Sequence, residues 1–243
     1  AEYPKLLRSL IKMPLKLISI FNNLTNYQYG IFTYHDYLKT FYKMINIKKQ
    51  KEIEQASSHL AQSFYAYSFL KKNFENVKLL NDYQNHKKFR KIKKNNTKKK
   101  NLICYSHKSN TFLDLIKSRS RARFIELKNF TSKEIVNIFK KTKIYIDFGY
   151  HPGKDRMPRE AVLFNNCIIS NLKGSAKNNN DIPISKKFKF NEKSININSI
   201  IKKIDEIFLN HKKEFKNFKK YKNQVLNEEK KFRAQILQIF VKN

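Results

Sequence analysis

The stretch richest in chemical potential is residues 144–170, IYIDFGYHPGKDRMPREAVLFNNCIIS. A buried strand is predicted to end at Phe148, a helix to start near Pro158, and the loop between them to carry Gly149, Gly153, Lys154 and Arg156. A helix N-terminus offers unpaired N–H groups and the positive end of a dipole to an anion. Glycines let backbone approach a phosphate closely. Arginine can grip a phosphate through two parallel hydrogen bonds, and a hydrogen bond to a charged partner contributes about 1.5–3 kcal/mol. The segment therefore reads as a phosphate or diphosphate site, with an ordinary surface loop as the alternative. It is neither a dinucleotide fingerprint nor a Walker loop, because G-x-G-x-x-G and G-x-x-x-x-G-K are both missing.

The surrounding pattern is one that could position such a loop. Strands are predicted over residues 102–105, 123–127, 144–148 and 167–170, and helices over 111–118, 131–141 and 157–164. Thr131 and Glu134 form the T-x-x-E spacing of a capping box, and Pro158 sits at a first-turn position. Strands alternating with helices imply crossover connections and a parallel sheet covered on both faces, which is an α/β, Rossmann-like pattern. In such sheets ligands bind outside the carboxyl ends of the strands. Upstream, residues 59–73 read as a short strand running into a helix, followed by a strand over 77–80; residues 1–50 carry helical patches and many aromatics. Residues 87–100, KKFRKIKKNNTKKK, hold nine Lys or Arg and no acid, and read as a solvated linker between domains. Ile197, Ile200, Ile201, Ile204, Ile207 and Phe208 form one buried helical stripe. A second helix is predicted from Lys212 to near the end, with Phe215, Phe218, Val225, Phe232 and Ile236 on its apolar side.

The run YIDFGYHPGKDRMPREA resembles the nucleotide-sugar region of GT-B glycosyltransferases, and of glycosyltransferase-like proteins from bacterial surface-polysaccharide loci in particular. HLAQSFYA (59–66), LLNDYQN (79–85), NFTSKEIVNIFKKTKIYIDFG and SNLKGSAKNNNDIPI (170–184) fall in the expected order, so the likeness covers residues 55–243. It implies a GT-B-like fold with a partial, acceptor-side first domain over 1–86, the basic linker, a nucleotide-sugar-binding domain over 101–210, and a helix over 211–243 packing back across the domains. It also implies sugar transfer from a nucleotide diphosphate sugar to a glycan or lipid-linked acceptor. Glu160 and Ala161 match the Glu-Ala pair that meets the donor ribose, and Gly153, Lys154, Arg156 and Arg159 become candidate diphosphate contacts. His151, Lys173, Gly174 and Ser175 become candidate cleft-lining residues. Many such enzymes carry a second glutamate eight positions before the first; here Pro152 stands there. A non-catalytic GT-B-like partner protein is therefore the alternative, and no catalytic base is assigned. Asp147 reads equally as a strand-end hydrogen-bonding residue and as a substrate contact. No cofactor or metal is expected: the sequence has no DxD motif and, along the chain, no His/Cys/Asp cluster at metal-ligand spacing.

The 243 residues are 40% hydrophobic, enough for a sizeable core. The formal net charge of +33 is mostly lysine and accompanies abundant Asn, Ile, Phe and Tyr with little Gly and no Trp. Those residues share AT-rich codons, so base composition accounts for much of the excess. Anionic lipid and nucleic acid are the functional alternatives. The second is disfavoured because no helix-turn-helix, zinc finger or RNA-binding sheet motif is present. Cys104 and Cys167 lie in apolar runs and read as buried thiols, which fits a reducing cytoplasm, and peripheral contact with the inner membrane face is compatible with the charge.

Overall fold

The computed structural model describes residues 56, 58–85, 98–106, 111–151 and 153–240. The helical patches expected over 1–50, most of the basic linker, and Pro152 lie outside those residues. The described residues fall into two compact units, one made of those up to Asn81 with those from Arg233, and one of Asp82–Phe232.

The smaller unit contains β1 (His59–Ala61), α1 (Phe64–Leu70) and β2 (Val77–Leu79), with β1 and β2 paired in parallel. Ser63 starts α1 because its hydroxyl accepts the Ala66 N–H. Ala61, Ala66, Leu70 and Val77 form its core. This is the strand, helix and strand order expected from residues 59–80.

The larger unit is an α/β domain. Its strands are β3 (Lys100–Ser106), β4 (Arg123–Leu127), β5 (Thr142–Asp147), β6 (Cys167–Asn171) and β7 (Lys189–Phe190), and each hydrogen-bonded pair among them is parallel. Their helices are α2 (Thr111–Arg119), α3 (Ser132–Lys141) and α4 (Arg156–Leu163). The spatial order is β4-β3-β5-β6-β7. The chain steps outward from β3 to β4, then crosses back to β5 and continues the other way. Right-handed crossovers in opposite directions put α2 on one face and α3 and α4 on the other. Tyr145 points toward α3, where its ring meets Phe139, while Phe148 meets Phe112 of α2. This is a Rossmann-like arrangement.

The near-continuous apolar strands follow from burial on both faces. Ile103, Cys104, Ile144, Tyr145, Ile146, Ile168 and Ile169 are all fully enclosed. Both thiols are buried, and burial pushes each up to about 12. The capping box at α3 is formed: Thr131 Oγ1 accepts the Glu134 N–H and Glu134 accepts the Thr131 N–H at 2.8 Å. Asn166 joins both helices of that face, donating to the Phe139 and Ala161 carbonyls and accepting from the Thr142 hydroxyl. The end of the basic run is not solvated throughout. Lys99 donates to the carbonyls of Phe139 and Thr142, and Lys100 opens β3.

Helix α5 (Ile197–Phe215) buries Ile197, Ile200, Ile204 and Ile207 against the sheet, on the face of α2. Its backbone leaves helical geometry at Asn210, where the two predicted helices were divided. The single helix expected from Lys212 is instead interrupted by a 3-10 turn at Lys216–Phe218 and continues as α6 (Lys219–Leu226) and α7 (Glu228–Phe240). The apolar side of that prediction holds in Phe218, Val225, Phe232 and Ile236, all buried. The breaks let α6 turn onto α4. No helix among the described residues is long and apolar enough to cross a membrane.

Candidate functional site

The reversal of strand order puts a topological switch point between β3 and β5, where open α/β sheets form their crevice. A cavity of about 380 Å³ lies there, a size typical of small-molecule sites. The ends of three strands reach it through Ser106, Leu127 and Asp147. Ile135 of α3 and the loop residues Asn129, Phe130, Gly149 and Tyr150 add to the wall, which Asp155, Arg156 and Met157 complete at the start of α4. Asn129 takes a positive φ of 57°, which asparagine tolerates better than most residues. Phe130 and Tyr150 are exposed aromatics at this place. The N-cap residue of α4 is Asp155, whose side chain makes no capping bond.

The loop from β5 to α4 is held from inside. Asp147 accepts the Tyr145 hydroxyl at 2.6 Å and the Gly149 N–H at 2.9 Å. The fully buried His151 puts Nδ1 2.6 Å from Asp155 Oδ2 and Nε2 3.7 Å from Asp147 Oδ1. Asn171 donates to the carbonyls of Phe148 and Gly149 at 2.8 Å each. The next strand-end loop closes over the first: Ser175 N–H donates to the His151 carbonyl and Ser175 Oγ to the Gly153 carbonyl. Gly174 has φ +57°, and a Cβ there would stand 1.9 Å from the His151 oxygen. Only glycine fits that backbone approach. Lys173 pairs with Glu192 at 2.7 Å.

Behind α4 lies a buried ionic network. Glu228, at the start of α7, receives Lys154 at 2.8 Å and Arg159 at 3.0 Å. Arg159 also donates to Asp82 and to the Lys154 and Asp155 carbonyls. Burial opposes the charge on Arg159, but Asp82 and Glu228 outweigh it and hold its pKa above the ordinary value. Gln84 donates its backbone N–H to Glu228 and its side-chain amide to Glu160. Glu160 also lies 3.5 Å from Arg156 Nε.

The candidates named from sequence therefore separate by position. Arg156 is on the cavity wall, with its side chain 52% exposed. Lys154, Arg159, Glu160 and Ala161 are buried behind it, Gly153 is fixed through its carbonyl, and Lys173, Gly174, Ser175 and His151 brace the loop. Glu228, Asp82 and Gln84 were not read from the sequence, because their roles arise from contacts 69 to 144 positions away along the chain. The wall residues Ser106, Asn129, Phe130 and Tyr150 became visible only with the strand order. Asp147, His151 and Asp155, spaced four apart along the chain, each bring a potential ligand atom within 4.8 Å of the others. Comparison with known proteins returned no matching family model and no matching curated sequence.

Proposed function

We propose that this chain binds a nucleotide diphosphate sugar in the switch-point cavity and transfers the sugar to a surface-glycan acceptor, in the manner of the GT-B enzymes that residues 144–161 resemble. The observation that carries the reading is a cavity at the strand ends with Arg156 and the uncapped start of α4 on its wall. In this reading the N–H groups of Arg156 and Met157 and the Arg156 guanidinium face the diphosphate. Charge that develops on the leaving diphosphate meets donors already in place, which is electrostatic preorganisation. Leu127, Phe130, Ile135, Met157 and Tyr150 supply an apolar wall for a flat base. Glu160 acts behind Arg156 as a positioning residue, while Lys154 and Arg159 hold the helix through Glu228.

One observation favours a second reading, binding without transfer. Lys154, Arg159 and Glu160, three of the residues the resemblance assigns to the donor, direct their charge to internal partners. A thermal-shift panel of nucleotides and nucleotide sugars tests binding. A ligand at one hundred times its dissociation constant adds about 2.7 kcal/mol of stability, and no shift in a folded sample with any of them would end the proposal. Mass spectrometry of released nucleoside diphosphate, with the bound sugar donor and a glycan acceptor, then separates transfer from binding alone.

A further inference from the structure

We propose that Asp147, His151 and Asp155 form a binding site for a divalent cation, Mn²⁺ or Zn²⁺, at the inner wall of the switch-point cavity. This goes beyond the nucleotide-sugar reading and does not depend on it.

One donor atom from each of the three residues lies within 4.8 Å of the others. Donors sharing one ion at about 2.1 Å stand roughly 3–4 Å apart. His151 Nε2 and Asp147 Oδ1, 3.7 Å apart, already have that separation. A metal-bound imidazole is normally held through its other nitrogen by a carboxylate, and Asp155 stands 2.6 Å from Nδ1. Asp155 thus fixes the ring from its far side as a positioning carboxylate, and His151 Nε2 and Asp147 Oδ1 are the ligating atoms.

Charge points the same way. Two carboxylates close together in a largely enclosed site are costly unless a cation compensates them. Lys154 and Arg159 direct their charge to Glu228 and Asp82. A second, separate observation comes from β6. Ser170 is the register partner of Asp147 and so stands on the same sheet face. It is 1% exposed, and its hydroxyl has no hydrogen-bond partner among the described residues. A buried hydroxyl of that kind, beside a carboxylate, marks a place for an ion or its bound water. An imidazole with a carboxylate suits ions between the hard and soft extremes. Asp147 and Asp155 both belong to the cavity wall, so the remaining coordination positions open toward it.

The test is a titration of the full chain with Mn²⁺, followed by the loss of the free-ion electron paramagnetic resonance signal, and with Zn²⁺ by calorimetry, both without nucleotide. The expected result is one ion per chain, with affinity reduced about 10-fold or more in Asp155→Asn and in Asp147→Asn. Asp155 makes no capping bond and its side chain is 27% exposed, so Asp155→Asn is the variant expected to stay folded. Binding of Zn²⁺ should also shift one histidine ring in the NMR spectrum, and that shift should vanish in His151→Gln. A folded chain that takes up neither ion, or an Asp155→Asn variant with unchanged affinity, overturns the proposal; in the first case His151 between the two carboxylates is a structural brace of the loop. Because no nucleotide is present, a failed donor panel and a failed metal titration are separate results.

Discussion

Arg156 and Arg159 leave the first turn of α4 in different directions, one to the cavity wall and the other into the ions of Asp82 and Glu228. Their substitution should therefore have different consequences. Removing one member of a buried ion pair costs about 3–5 kcal/mol, because the partner is left charged and unpaired. Arg159→Ala should lose stability of that order in urea denaturation. Arg156→Ala should stay within about 0.5 kcal/mol of wild type, as surface substitutions do, while weakening any ligand in the cavity. Gly174 belongs to the same scale. Gly174→Ala sets a Cβ against the His151 carbonyl and forces a side chain into a left-handed backbone. A loss of more than about 2 kcal/mol is expected from the same denaturation curves. The sequence made the chemistry of Arg156 and Arg159 visible but not their directions. Both are arginines near a helix start, and what separates them is Glu228, whose position depends on how α6 turns onto α4.

Single elements were far more legible than their arrangement. The strand at Arg123–Leu127 was read to the residue, and the capping box placed the start of α3, because both depend on neighbours a few positions away. Thr131→Ala should cost about 1 kcal/mol by removing the cap, measurable as a lower urea midpoint at unchanged slope. The terminal helices were less legible. Lysine and asparagine continue through residues 209–227 without a proline or glycine to mark the breaks at Asn210, Lys216–Phe218 and Asn227. The apolar stripe survives those breaks, since burial of Phe218 and Val225 fixes which side packs, not whether the backbone is continuous. Sheet order was invisible for a related reason: the central strands β5 and β6 are apolar on both faces, and nothing in a strand's own residues names its neighbour.

At the scale of the molecule, the burial of Lys99, Lys189 and His211 makes stability depend on pH in a direction that can be worked out. Burial pushes the Lys99 and Lys189 ammoniums down from 10.5 to about 8. Between those values the unfolded chain holds protons that the folded chain has released, so stability should rise with pH from about 8 to 10.5. Burial, aided by Lys99, lowers His211 from 6.5 to about 4. Stability present above 6.5 should therefore be lost as pH falls toward 4, and His211→Asn should flatten that part of the curve. Denaturation midpoints across pH 4–10.5 check both windows.

The site, too, is a property of the whole domain. Its wall is drawn from β3, β4, β5, α3 and α4 and from the loops after the strands, and the reversal of strand order creates the space between them. The measurement that meets the central claim most directly is a calorimetric titration with nucleoside diphosphates and their sugar conjugates, comparing wild type with Arg156→Ala. Saturable binding of at least one nucleotide diphosphate sugar is predicted, weakened about 10-fold or more when the charged contact of Arg156 is removed. Absence of heat with every nucleotide in a folded sample, or equal affinity in the two proteins, would contradict it.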